Sequence, residues 1–155
     1  MSYETEEIFE EIDFPWLIFK LNNNLYTINS KMVTSIVIKP GEITVVPNIK
    51  SYFTGLIHLR GNVVPLIDLK DLFKINHLLN DNDDKKEMVI VLEKDNSFVG
   101  LVVDEVLSVE NISQFEETDE VRKLVKDGFV KGVAKGSKNE DVLLIIDEEK
   151  IMNVA

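Results

Sequence analysis

The feature that most restricts this chain is the recurrence of short turn signals between short, β-branched apolar runs. The runs "WLIFK" and "LYTI" flank Asn22, Asn23 and Asn24, a residue type that tolerates the left-handed turn conformation. "MVTSIVIKPGEITVVP" breaks at Pro40-Gly41, which predicts a strand on either side. "TGLIHLRGNVVPLIDL" breaks at Gly61-Asn62, a pair able to supply the positive φ angles of a tight hairpin. The same arrangement recurs around Asp95-Asn96 and around the polar stretch 136–141, for a total of about ten strands. Regular hairpins with few helices predict a mainly all-β barrel or sandwich and argue against βαβ units.

Helices are expected only at the periphery. "TDEVRKLVKDG" has Thr118 as a cap, Val121, Leu124 and Val125 on one face, and Gly128 as a stop. Residues 76–87, "NHLLNDNDDKKE", read as a solvated connector between two halves. An internal echo supports that division. Gly55 opens one strand–turn–strand unit that closes with "VVPLID" at Asp68, and Gly132 opens another that closes with "VLLIID" at Asp147. Each aspartate stands where a strand gives way to a helical turn, so both are read first as N-caps, a role that needs no catalytic explanation.

Composition removes several classes of function. The chain carries 28 acidic and 17 basic side chains, a formal charge of −11 that opposes binding to nucleic acid or to an anionic membrane. Without cysteine there is no disulfide, thiolate metal site or thiol nucleophile. The acidic start "MSYETEEIFEEIDF" lacks the basic and apolar regions of a secretory signal, and no apolar run approaches membrane-spanning length, so a cytoplasmic location without membrane insertion is expected.

Catalytic and metal motifs fail on spacing. Gly128, Gly132 and Gly136 do not form a phosphate loop, because the order after the last is Ser137-Lys138. The calcium-loop comparison from Asp81 fails at Lys86 and Leu92. His58 and His77 lack partners at helical spacing, so no metal site is expected, and His58 is placed on a half-buried strand. Asp104-Glu105 would point to opposite faces of a strand. No cofactor is implied. A small barrel enzyme remains the alternative of a different class, one that a deep pocket holding a perturbed carboxylate would favour. Arg60 has two readings, a solubilising edge charge packed by its stem or an interface anchor with a multi-donor fork.

Three blocks carry a family resemblance. "TGLIHLRGNVVPLIDLKDLF" is close to a G-x-x-x-L-R-G-x-x-x-P-x-x-D-L signature, with Gly55, Leu59, Arg60, Gly61, Pro65, Asp68 and Leu69 in place. "MVIVLEKDNSFVGLVVDEVLSV" supplies V-G-x-x-V-D-x-V through Gly100 and Asp104, and "VKGVAKGSKNEDVLLIIDEEKIM" supplies the closing block with Gly132 and Asp147. The chain thus resembles the CheW-like domain family of bacterial chemotaxis coupling proteins. The resemblance implies two SH3-like five-stranded β-barrels packed into a single domain over residues 14–153, after an acidic segment at 1–13. It further implies a non-catalytic adaptor that joins chemoreceptor cytoplasmic tips to the regulatory, CheW-like domain of the histidine kinase CheA, at the inner face of the membrane, with the chain monomeric in isolation. A related scaffold in a non-flagellar receptor–kinase pathway is equally compatible. Receptor-facing candidates carried over are Val33, Ser35, Ile36, Arg60, Gly61 and Asn62; apolar hairpin ends are candidates for the kinase side. Ser35 departs from the pattern, since many relatives have glutamate there, and Lys50-Ser51 replaces a common proline.

Overall fold

Strand periodicity decides this architecture, because alternate side chains of one strand enter two different cores. In a computed structural model that describes residues 15–78, 86–116, 123, 128–136 and 141–154, β1 (Trp16–Leu21) sends Trp16 and Ile18 into one cluster and Leu17, Phe19 and Leu21 into another. The other strands are β2 (Asn24–Asn29), β3 (Val33–Ile38), β4 (Phe53–Leu59), β5 (Asn62–Asp68), β6 (Met88–Lys94), β7 (Ser97–Val103), β8 (Glu105–Glu110), β9 (Ile112–Glu116), β10 (Val130–Gly136) and β11 (Val142–Ile146). Two short helices, α1 (Leu69–Leu72) and α2 (Glu148–Val154), follow β5 and β11.

One sheet has the order β8-β1-β2-β11-β10-β9 and the other β3-β6-β7-β5-β4. β8 and β9 occupy opposite edges of the first sheet, yet only Asn111 separates them. One bent strand therefore pairs at both edges and closes the sheet into a barrel, which reduces its six segments to five structural strands. The second sheet closes by the same device in shorter form. The chain leaves edge strand β3, turns at Pro40-Gly41 and reaches the far edge, where Thr44 exchanges both backbone hydrogen bonds with Leu56 of β4, at 2.9 and 2.8 Å. The strand expected after Pro40-Gly41 is thus a single bridge, enough to close the seam.

Each barrel has its own interior and the two share a third, larger core. The first interior holds Trp16, Ile18, Ile112, Ala134, Leu143 and Ile145, and the second Ile57, Val64, Leu66, Val89, Val91 and Val102. Between the barrels lie Leu17, Phe19, Tyr26 and Ile28 from one side and Ile67, Ile90, Leu92, Leu101 and Val103 from the other. Burying such side chains contributes roughly 1.5–3 kcal/mol apiece, so separating the barrels would expose the most populous of the three apolar clusters among the described residues. The chain crosses between barrels at the 3-10 turn Ser30–Met32 and at Asp104, not at the expected connector 76–87, which lies between β5 and β6 of the second barrel. The sequence-expected helix 118–128 and the acidic segment 1–13 lie outside the described residues, apart from Lys123 and Gly128.

Two glycines of the signature blocks have steric reasons. A Cβ on Gly55, whose φ is +150°, would stand 2.4 Å from Thr44 O and block the seam bridge. On Gly100 it would meet Leu66 Cδ2 at 2.5 Å inside the second barrel. Gly132 is different. A Cβ there would make only an ordinary contact with Ile145, 3.6 Å away. Pro65 sits opposite Leu56, whose own N–H and C=O are both taken by Thr44. The missing proline N–H therefore costs the β4–β5 ladder nothing, and parallel pairing of β5 with β7 begins one residue later at Leu66.

Candidate functional site

The hairpin tip at Arg60 is built differently from its sequence reading. Leu59 pairs with Asn62, so the two turn residues are Arg60 and Gly61, and Asn62 already belongs to β5. Arg60 has φ 50° and Gly61 φ 81°, positive at both positions as a primed hairpin turn requires. Arg60 is therefore exposed on the turn itself and does not end a strand facing apolar surface. The other two-residue hairpins use Asn22-Asn23, positive at Asn22, and Asp95-Asn96, positive at both, residue types that tolerate the left-handed region. Arg60 is the exception among them. His58 and Val63 pair across the same hairpin and both are exposed, so His58 lies on the solvent face of a half-buried strand, as expected.

β3 supplies the second group. A bulge between Val33 and Ser35 shifts the register, so Val33 lies opposite Leu92 and packs on the shared core, while Ser35 lies opposite Val91 of the barrel interior. Directly opposed residues share a face, which directs the half-buried Ser35 inward and leaves Thr34, Ile36 and Ile38 outward. Ile36 and Ile38 are 39% and 55% exposed and lie opposite Ile90 and Met88, so they carry the shared-core face out to solvent. β3 and β4 are the two edges of their sheet. Strand pairing does not join the two groups; both border the seam that Thr44 closes.

Of the remaining signature residues, Asp68 and Asp104 belong to a polar cluster around α1, and Asp147 repeats the capping role in α2. Asp68 caps α1, its Oδ1 accepting from Lys70 N at 2.9 Å and Asp71 N at 3.4 Å, and Asp147 Oδ1 accepts from Lys150 N at 3.3 Å in α2. Both capping assignments from sequence are met. Burial pushes the Asp68 carboxyl up from its ordinary value, reinforced by the nearby Asp71 charge and opposed by the Asp71 backbone N–H and by His77. Lys70 is buried and its Nζ donates to Asp104 Oδ1 at 2.7 Å. Asp104 Oδ2 accepts from Asn22 N at 2.6 Å, and Asn22 Nδ2 donates to Asn76 O at 2.8 Å. His77 Nε2 lies 2.9 Å from Asp71 Oδ1 and 3.9 Å from Asp68 Oδ2. These three residues have metal-ligand spacing that sequence distance hid, yet one carboxylate is already committed to backbone caps.

Two closed barrels fused through a common core, with apolar edges and a charged hairpin tip left exposed, define an interaction module. Comparison with known proteins places it more narrowly. The CheW-like domain profile matches residues 15–155. "Chemotaxis protein CheW" of Klebsiella aerogenes is 30% identical over 146 residues, covering 93% of this chain and 84% of that protein. The protein of the same name from Thermotoga maritima is 31% identical over 153 residues, covering 96% and 88%. The crystal structure of the scaffolding protein TtCheW from Thermoanaerobacter tengcongensis superposes with a TM-score of 0.72 at 29% identity, over 86% of this chain and 84% of that one. The chain belongs to the CheW-like domain family.

Proposed function

We propose that this protein couples chemoreceptors to the kinase CheA through two separate surfaces. As a CheW-family chain it is a non-catalytic adaptor of chemotaxis signalling. On our reading the receptor's cytoplasmic tip docks on the second barrel, with Ile36 as an apolar contact and the Arg60-Gly61-Asn62 hairpin tip as its charged anchor, while Val33 and Ser35 support β3 from beneath. The kinase's regulatory domain docks on apolar hairpin ends. The adaptor works as a monomer of one domain, recruited from the cytoplasm to receptor arrays. Among the described residues no helix is long and apolar enough to cross a membrane, and recruitment by a receptor needs none.

The observation that carries this reading is the choice of arginine in a left-handed hairpin-turn position where the other hairpin turns use Asn or Asp; Lys74, also left-handed, closes the end of α1, its N–H donating to Asp71 O. A residue that costs conformational energy and gains no ion pair among the described residues is placed for something outside the molecule. Arginine's planar fork suits a carboxylate or a backbone carbonyl of a partner. The test is a titration of the purified protein against a receptor tip and the CheA regulatory domain, with Arg60→Ala alongside. Binding to both, with the variant impaired toward the receptor alone, is expected. Unimpaired receptor binding by Arg60→Ala would remove the hairpin tip from the site.

A further inference from the structure

The core shared by the barrels is apolar, and apolar attraction has no directional preference. Close packing narrows the angle between two such faces, and a directional contact at their rim can select one within that range. The polar cluster at the edge of that core has the required form. Lys70 extends from α1, directly after β5 of the second barrel, Asp104 is the chain crossing between β7 and β8, and Asn22 is in the β1–β2 turn of the first barrel. Both oxygens of Asp104 are used, one toward each barrel, and Asp104 N donates to Lys20 O at 3.1 Å. Asn22 then returns a hydrogen bond to Asn76, beyond α1.

We infer that Lys70, Asp104 and Asn22 form a latch that fixes the angle between the two barrels, with Lys70 as its positioning residue. Stability alone does not account for such a group. Taking an ammonium and a carboxylate out of water costs about as much as their attraction returns, and well-packed neutral replacements are often no less stable. Buried ionic groups of this type are best attested as devices that select one register among several. The side chains here meet that description: Lys70 is 8% exposed and Asp104 22%, and their geometry is satisfied only when the β1–β2 turn lies over α1. The consequence for function rests on the receptor reading above. Ile36 extends the shared-core face, so the surface beside it changes when the first barrel turns against the second.

The experiment measures residual dipolar couplings on the full-length, isotopically labelled protein, fitting an alignment tensor to each barrel separately. The wild type and Lys70→Arg, which keeps a donor toward Asp104, are expected to fit one tensor. Lys70→Met/Asp104→Asn removes both charges and keeps an acceptor for Asn22 N. It is expected to stay folded, to fit each barrel as well as before, and to need two different tensors. Receptor-tip affinity in the same variant is expected to fall by roughly fivefold or more. A single shared tensor for the double variant overturns the latch. So does loss of the folded spectrum in that variant, since the cluster would then be a stability element. Reorientation with undiminished receptor binding supports the latch and refutes the placement of the receptor beside Ile36.

Discussion

Replacing Arg60 by asparagine should make the protein more stable and less functional at once. The left-handed region costs an ordinary L-residue roughly 1–2 kcal/mol, most of which Asn avoids, so Arg60→Asn should gain about 1 kcal/mol. For a chain of 155 residues that corresponds to a rise in Tm of about 2–4 °C. Arg60→Ala is the control. Alanine keeps the Cβ that causes the strain, and Arg60 is exposed, so its stability should stay within about 0.5 kcal/mol of wild type. Both variants lose the guanidinium, and an interface arginine of anchoring type is worth about 2 kcal/mol, or roughly thirtyfold in Kd. Urea melts of the three proteins, followed by receptor-tip titrations, separate the two effects. If Arg60→Asn is no more stable than Arg60→Ala, the strain argument is wrong. If both variants bind the receptor like wild type, the strain has some other cause.

Four further outcomes follow from the packing. Gly55→Ala should cost about 3 kcal/mol in denaturant melts, because its Cβ would meet Thr44 O at 2.4 Å in the bridge that closes the second barrel. Leu101→Ala, in the core shared by both barrels, should cost about 2–5 kcal/mol and shift fluorescence and circular dichroism melts together; separate transitions would show the barrels to be independent. Ile36→Asp should cost about 1 kcal/mol, since the strand side chain is 39% exposed and partly packed, and should weaken receptor binding by more than that loss accounts for. Asp68→Asn keeps the cap while removing a carboxyl whose folded pKa is raised above its unfolded value. A raised acid binds more protons folded than unfolded, so wild-type stability falls as pH rises from the ordinary carboxylate value to the raised one. The advantage of Asp68→Asn over wild type should therefore grow with pH through that interval and then level off.

What was legible in the sequence followed from local rules. The turns at Asn22-Asn23 and Asp95-Asn96, the alternation within β1, and the caps at Asp68 and Asp147 each depend on neighbours in sequence. Arg60 was visible as an oddity, but its turn was set one residue late, because Gly61-Asn62 and Arg60-Gly61 both contain a residue suited to positive φ. Seam closure at Thr44 was not visible, since one bridge needs no strand-length pattern. Lys70 looks like a solvated position in "DLKDLF"; its partner Asp104 lies 34 positions away, and Asn22 lies 82 from Asp104. Nothing local reports such pairs. The inward direction of Ser35 was hidden by a bulge that only the pairing with β6 reveals.

The order of the strands also sets an order of events during synthesis. The second barrel, β3 to β7, is one uninterrupted stretch that can close on itself as soon as it leaves the ribosome. The first barrel has no such freedom: β2 must wait for β11, and Tyr26, paired with Phe19 on one side, finds its other partner only at Leu144. Its opening hairpin therefore emerges with both sheet edges unmatched, β1 until β8 and β2 until β11, and with Leu17, Phe19 and Leu21 uncovered until the second barrel has formed beside it. The earlier-completed barrel becomes the template on which the other is assembled, and a chain truncated before β10 would retain the first closed unit while leaving its companion a ribbon with two open edges.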